Sequence, residues 1–344
     1  MSAQLQMPTP TALPATPSPA AARRLDARLL PLTVTIALFL VAAAAGSVMY
    51  TGFLSLQVFL NLLIDNAFLC IVAVGMTFVI LSGGIDLSVG SVVALTTMVS
   101  ASLVERHGWH PLAVIPLVLL MGTAFGGLMG LLIQRFRLQP FLVTLAGMFL
   151  ARGLCYLISI DSISITNAWF SDVSQLRVPL WADASLSVGA IIALAVVAVA
   201  MWIAHFTQFG RTVYAVGGNE QSAVLMGLPV PRTLIGVYAF SGFCSALGGV
   251  VFTFYMLSGY GLHAVGLELD AIAAVVIGGT LLAGGVGTVF GTLFGVLTLG
   301  LIQTLIMFDG TLSSWWTRIV IGALLLAFCL LQRLFELRRH RRSP

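Results

Sequence analysis

Lysine is absent from the 344 residues, and all charged side chains together make up only 8% of the chain. Without lysine the chain can form neither a phosphate-binding P-loop nor a Schiff base, so any nucleotide hydrolysis that drives it must take place on another chain. Soluble proteins are roughly 45–50% apolar and 25% charged, whereas 59% of this sequence is hydrophobic. The composition therefore predicts an integral membrane protein.

Motifs for metal binding and catalysis are also missing. The cysteines Cys70, Cys155, Cys244 and Cys329 lie far apart in apolar runs, with neither disulfide nor metal-ligand spacing. No GxSxG, HExxH or GxGD pattern occurs, which leaves an intramembrane enzyme without a nucleophile and base. The net charge of +4 comes from arginines concentrated at tails and loops, as membrane orientation requires. We expect no catalytic residue, metal ion, bound cofactor or nucleic-acid partner for this chain.

Charge-free runs set the expected number of membrane spans. Residues 29–64 form a charge-free run that as one helix would extend about 54 Å, against a hydrocarbon core of about 30 Å. This run must fold back, and Thr51 and Gly52 mark the turn; residues 271–308 must fold back near Gly284 and Gly285. The same rule predicts an all-α protein with about ten spans, at 31–50, 56–81, 88–104, 111–133, 140–159, 186–205, 233–257, 268–283, 286–308 and 316–332.

The positions of the arginines indicate the orientation of these spans. If the N-terminus is cytoplasmic, most arginines fall in cytoplasmic tails and loops, as the positive-inside rule requires. Both termini are therefore expected in the cytoplasm. The chain divides into a disordered cytoplasmic tail rich in Pro and Ala (1–28), a transmembrane domain (29–333) and a basic cytoplasmic tail (334–344).

A glycine-rich segment, 83–91, joins the second and third spans and carries Asp86 and Ser88. One interpretation is a broken helix that lines a transport pathway, because non-helical backbone at membrane depth occurs only where protein or a water-filled cavity surrounds it. The other is a cytoplasmic hairpin in which Asp86 caps the next helix. A second glycine-rich segment, 278–291, echoes the first and suggests an internal repeat or close helix packing.

Polar residues inside the spans are the other candidates for a transport path. Asn61, Asp65 and Asn66 interrupt the second span, where an unpaired carboxylate costs about 2.5–3.5 kcal/mol. They lie close together on a helical wheel, so one polar stripe either binds a hydroxylated solute or holds a neighbouring helix. Arg152, in the fifth span, either pairs with Asp65 or Asp86 or donates hydrogen bonds into a cavity.

The loop 206–232 is the longest internal connection and is predicted to contain a short helix. Asn219 can cap this helix, Gln221 and Ser222 occupy its first turn, and Gly227 can end it. Such a helix on the cytoplasmic side is either a docking surface for a partner or a spacer.

Three long motifs occur in order along the chain: SGGIDLSVGS at 82–91, GRTVYAVGGNEQSAVLMGL at 210–228 and GLELDAIAAVVIGGTLLAGGVGTVFGT at 266–292. In sequence and spacing they resemble the membrane permeases of ribose-type sugar ABC importers, and the likeness extends over 54–331. Within that family, segments 61–91 and 308–317 are most similar to the galactofuranose-transporter permease.

This resemblance implies a type II-like importer subunit with ten spans in the bacterial inner membrane. It also implies an ABC ATPase partner that holds ATP and Mg, a periplasmic sugar-binding protein and a second permease, expected as a heterodimer. The segment 219–227 would then couple the permease to the ATPase, with Gly218, Asn219 and Glu220 at its beginning.

An ion-coupled secondary transporter is the alternative function. In that case Asp65, Asp86 and Arg152 would bind or relay a cation within the spans. The two hypotheses differ in their energy source, which is ATP for the importer and an ion gradient for the secondary transporter.

Overall fold

The computed structural model describes residues 30–181, 184–311, 313 and 315–340. The predicted tail 1–28 lies outside the described residues, as do the last four residues of the predicted tail 334–344. The helices are α1 (Leu30–Met49), α2 (Leu56–Asp65), α3 (Ala67–Leu81), α4 (Val89–Ala101), α5 (Pro111–Phe136), α6 (Pro140–Ile158), α7 (Ala168–Gln175), α8 (Val188–Phe206), α9 (Gln208–Gly218), α10 (Glu220–Leu225), α11 (Val230–Met256), α12 (Leu267–Ile277), α13 (Val289–Asp309) and α14 (Trp315–His340). A π-helical turn, Ser102–Arg106, extends α4.

The long helices agree with a multi-pass membrane protein. Among the described residues, 7 helices are long and apolar enough to cross a membrane, and the pair α2–α3, bent by 59°, makes up to 8. The predicted span 268–283 is not of full length, because α12 has 11 residues and therefore reaches only about 16 Å. The glycines that follow α12 end it early. At the C-terminus, α14 continues to His340, well beyond the predicted end at 332.

Four short strands accompany the predicted helices in the described residues. Strand β1 (Ile163–Ser164) pairs antiparallel with β4 (Ser258–Gly259), and β2 (Arg177–Trp181) pairs antiparallel with β3 (Ala184–Ser187). These segments lie between long helices, where extended backbone must find partners for its N–H and C=O groups. Hydrophobic run length alone does not report such pairing.

The connections between helices meet in two groups. In one group, the backbone N–H of Gly285 donates to the carbonyl of Leu81 at 2.9 Å. In the other, Arg106 donates to the carbonyl of Ile158 and the hydroxyl of Ser159, both at 3.0 Å, and β1 pairs with β4. The predicted spans alternate in direction, so every second connection should lie on the same side of the membrane. The connections expected on one side do contact one another. We name the two groups the α10 end and the opposite end.

Helix α3 lies at the centre of the core. Every residue from Leu69 to Leu81 is buried, and α3 packs against α8, α11, α12 and α13. A helix that is apolar on all sides is stable only when neighbouring helices cover its whole circumference. The central position of α3 puts the glycine-rich segment after it, 82–88, among those same neighbours.

Glycines allow α5 and α11 to pack with their backbones in contact. A methyl group on Gly126 would lie 2.1 Å from the carbonyl oxygen of Tyr238, and one on Gly242 would lie 2.2 Å from the carbonyl oxygen of Gly122. Small residues at such spacings are how membrane helices gain close packing without a hydrophobic driving force. The close contact between α5 and α11 therefore requires glycine, which has no side chain, at these positions.

We expect Gly126→Ala to lower the free energy of unfolding by about 1–3 kcal/mol, because the added methyl group overpacks the interface. The matched control is Gly127→Ala on the same helix, where the nearest atom to an added methyl group is 3.7 Å away. Denaturant unfolding of the purified protein in detergent measures both variants. Equal stability of the two would contradict the packing account.

Candidate translocation and coupling site

The predicted short helix in the loop 206–232 is present as α10. The side chain of Asn219 accepts a hydrogen bond from the backbone N–H of Ser222 at 2.8 Å, and Gly227 takes the left-handed conformation with φ +74° after the helix ends. The predicted cap and terminator are therefore confirmed as local structure. The sequence analysis missed α9, although the Thr207 hydroxyl caps it by accepting from Gly210 N–H at 3.1 Å.

Helix α10 and the residue after it expose both polar and apolar side chains. Glu220, Gln221 and Ser222 are exposed, whereas Ala223 is buried. Beyond them lies an exposed apolar group that we name the apolar tip: Val224, Leu225 and Met226, which are 56%, 87% and 67% exposed. The sequence analysis overlooked the apolar tip, because in a hydrophobic sequence three further apolar residues give no signal. Their exposure on a short, otherwise polar helix is typical of a protein interaction surface.

Three glycine-containing backbones meet close to α10, in a contact that we name the glycine junction. A methyl group on Gly217 would lie 1.7 Å from the carbonyl oxygen of Leu81 and 2.6 Å from the nitrogen of Gly285. One on Gly284 would lie 3.0 Å from both the Gly83 nitrogen and the Gly217 oxygen. Gly83, Gly284 and Gly285 also have φ values of +85°, +87° and +74°, which favour glycine. The junction can form only with glycine at these positions.

The glycine junction connects elements that are far apart in sequence. Gly83 lies in the break between α3 and α4, Gly284 and Gly285 lie in the break between α12 and α13, and Gly217 lies at the end of α9. The hydroxyl of Tyr214 adds a hydrogen bond to the Gly287 carbonyl at 2.9 Å. The two similar glycine-rich segments seen in the sequence are therefore in direct contact, and Asn219 separates α9 from α10.

Asp86 fixes the break between α3 and α4 in place. One carboxylate oxygen accepts from the backbone N–H of Ser88 at 2.9 Å and from its hydroxyl at 2.6 Å. The other accepts from the hydroxyl of Ser241 on α11 at 2.7 Å. Asp86 and Ser88 are each only 2% exposed. The capping interpretation describes these bonds, and the segment is at the same time a helix break buried in protein.

The polar residues of the second span do not form one stripe, because the helix bends at Asn66. Asn61 and Asp65 are exposed, whereas Asn66 is 5% exposed and donates to the carbonyl of Leu62 at 2.9 Å. Gln57 donates to the side chain of Asn61 at 2.7 Å. The exposed stripe on α2 therefore consists of Asn61 and Asp65 with the half-buried Gln57 before them, and the prediction that Asn66 belongs to it was wrong.

Arg152 does not pair with Asp65 or Asp86, so the first of its two alternative roles does not hold in this structure. Its guanidinium group donates to the carbonyl oxygens of Gly261 and His263, both at 2.6 Å. These carbonyls belong to the non-helical segment 260–266, and a methyl group on Gly90 of α4 would lie 2.7 Å from the Ala264 carbonyl oxygen in the same segment. Arg152 therefore supplies hydrogen-bond donors to irregular backbone that lies between helices.

Comparison with known proteins places this chain in a family. A family model described as the permease component of the branched-chain amino acid transport system matches residues 58–329. The chain is 53% identical over 306 residues to the inner membrane ABC transporter permease protein YjfF of Escherichia coli, which covers 89% of this chain and 92% of that protein. No solved structure matches the chain.

Two further relatives are named for the sugars that they import. The fructose import permease protein FruG of Bifidobacterium longum is 41% identical over 316 residues, which cover 90% of this chain and 92% of that protein. The ribose import permease protein RbsC of Haemophilus influenzae is 42% identical over 273 residues, which cover 77% of this chain and 81% of that protein. These relatives are permease subunits, whose ATPase is a separate chain. The chain therefore belongs to the permease-component family of ABC importers that includes the ribose-type permeases, and it is a multi-pass inner-membrane subunit, not an enzyme.

Proposed function

We propose that this chain forms the translocation path of an ATP-driven monosaccharide importer, with a galactofuranose-like sugar as its cargo. Relatives named for fructose and ribose support the substrate class. Both sugars are small molecules with several hydroxyl groups, so a path shared by these relatives must accept such molecules. The motifs at 61–91 and 308–317 support the galactofuranose-like cargo. The single observation that carries the transport mechanism is the glycine junction, which connects α10 to two broken helices.

The proposed importer needs other chains and a defined orientation. An ABC ATPase binds ATP and Mg²⁺, a periplasmic binding protein delivers the sugar, and a second, different permease completes the path. In this proposal the α10 end and both termini face the cytoplasm, and the half-length α12 and the helix α14 complete ten membrane segments. The arginines near the α10 end support this orientation, because the positive-inside rule concentrates them on the cytoplasmic side.

Coupling requires that movement of the ATPase reach the membrane helices. Transport without covalent change needs two conformations of similar free energy and a nucleotide state that favours one of them. The ATPase contacts α10 through Glu220, Gln221 and the apolar tip, and the displacement passes through Gly218 to the glycine junction. Because the junction contacts the breaks after α3 and after α12, one displacement moves both.

The exposed stripe on α2 supports a second permease. Asp65 is the tenth residue of α2 and so lies about 14 Å along that helix, near the depth where a carboxylate facing lipid is costly. Within this chain Gln57 accepts from the backbone N–H of Ser185 at 2.9 Å, and Arg177 lies close enough to Asp65 for their charges to interact. The exposed sides of Asn61 and Asp65 are stable at that depth only if another protein surface or a water-filled path covers them. In the proposed assembly, the stripe faces the path between the two permeases, and Asp86 and Ser88 become accessible when the breaks move.

The energy source tests the proposed function against an ion-coupled transporter. The full complex is reconstituted into liposomes with its ATPase, second permease and binding protein, and uptake of radiolabelled D-galactose, D-ribose, D-fructose and L-arabinose is measured. We expect uptake of at least one sugar to require hydrolysable ATP and the binding protein, and to persist when ionophores remove ion gradients. Uptake that survives ATP omission and stops with ionophores would instead identify a secondary transporter.

A charge on the apolar tip should prevent assembly with the ATPase. We expect Leu225→Asp to reduce the amount of ATPase that copurifies with the permease at least tenfold, because an unpaired carboxylate in an apolar contact loses its hydration. Leu225→Met keeps the apolar surface and should retain assembly. Copurification in detergent measures both variants, and an unchanged yield with Leu225→Asp would remove α10 from the interface.

A further inference from the structure

A cavity of about 560 Å³ lies between α12, α13 and α14, on the side of the chain opposite to the glycine junction. Its polar lining consists of Asp270, Gln303, Trp315, Thr317 and Arg318, and apolar side chains of α13 and α14 complete the wall. The volume falls within the roughly 300–1,000 Å³ typical of small-molecule sites. None of these residues was a candidate from the sequence.

The cavity opens at the opposite end of the molecule from α10. Trp315 begins α14, and Gln303 lies six residues before the end of α13. At a rise of about 1.5 Å per residue, the polar groups extend roughly 9 Å into the helical region from that end. In the proposed orientation this is the side on which the binding protein releases sugar.

The two charged groups that line the cavity have opposite signs. Asp270 and Arg318 lie close enough for their charges to interact, and a methyl group on Gly266 would lie 3.1 Å from a terminal nitrogen of Arg318. Ionisable residues within membrane helices mark ligand pathways more often than they serve packing. The lining therefore presents one charge of each sign together with the neutral hydrogen-bonding groups of Gln303 and Thr317, which suits a polar ligand with several hydrogen-bonding groups.

The lining groups match the chemistry of a monosaccharide. A carboxylate accepts hydrogen bonds from hydroxyl groups, a guanidinium donates to their oxygens, and an amide or a threonine hydroxyl does both. The indole of Trp315 and the apolar wall provide a surface for the C–H face of a sugar ring. A branched-chain amino acid, the ligand in the description of the matched family, has an apolar side chain that offers no hydrogen bond to Gln303 or Thr317.

We propose that this cavity is a monosaccharide subsite at the outer end of the translocation path, with Asp270, Gln303, Thr317 and Arg318 as hydrogen-bonding residues and Trp315 as the stacking residue. This proposal rests on the proposed function. The subsite discriminates among sugars by the positions of their hydroxyl groups after release from the binding protein. Its affinity is low, because a permease that holds its cargo tightly does not pass it on.

The test compares sugar discrimination in the reconstituted complex. Uptake rates of D-galactose, D-ribose, D-fructose, L-arabinose and L-leucine are measured at saturating binding protein for the wild type, Asp270→Asn and Thr317→Val. We expect Asp270→Asn to change the ratio of rates for the two best sugars at least tenfold, with ATP hydrolysis within twofold of wild type. Thr317→Val changes no charge, so it should change the same ratio of uptake rates by a smaller factor than Asp270→Asn does. Asp309→Asn is the matched control, since Asp309 lies at the same end but bonds Tyr50 at 3.3 Å outside the cavity.

Each result has a defined meaning. An unchanged ratio with Asp270→Asn and Thr317→Val, or an equal fall for every sugar, overturns the subsite and leaves the importer function standing. Wild-type uptake of leucine in place of the sugars overturns the ligand class. Wild-type complex that imports none of the probes with ATP contradicts the proposed function itself. If Asp270→Asn does not assemble, the ratio measured with Thr317→Val decides the proposal.

Discussion

The close approach of three backbones at the glycine junction is the constraint on which the rest of the structure depends. Carbonyl and amide groups of the two helix breaks and of α9 approach so closely that no Cβ atom fits between them. Backbones in such contact have no flexible side chains between them to absorb a displacement. Interfaces packed this tightly have discrete arrangements rather than a continuous range, so a push on one element must be passed to the others or break the contact.

Polar groups at membrane depth show why the irregular segments can exist in this fold. Asp86 accepts three hydrogen bonds at the break after α3, and Arg152 donates two to the segment that precedes α12. Backbone that leaves the helical pattern within a bilayer must be satisfied by protein or water. These two residues therefore hold the broken elements in position.

The sequence predicted the membrane class, the positions of most spans, the cap and end of α10, and the two glycine-rich segments, because each leaves a local signal. Hydrophobic length reveals a helix, and Asn219 followed by Gly227 reveals a short one. The bend at Asn66, the pairing of β1 with β4 and the carbonyl partners of Arg152 depend on residues far apart in the chain, so no local pattern predicts them. The apolar tip and the cavity around Asp270 depend on exposure, which only the packed structure defines.

The most direct measurement of mechanical coupling is the number of sugar molecules imported per ATP hydrolysed by the reconstituted complex with Gly217→Ala. The added methyl group would lie 1.7 Å from the Leu81 carbonyl oxygen, so α9 must separate from both helix breaks. Gly153→Ala on α6, where an added methyl group has no neighbour within 4 Å, is the control. We predict that Gly217→Ala complexes assemble and hydrolyse ATP but import at least tenfold less sugar per ATP, whereas Gly153→Ala matches wild type. A wild-type ratio in assembled Gly217→Ala complexes would show that the force reaches the membrane helices by another route.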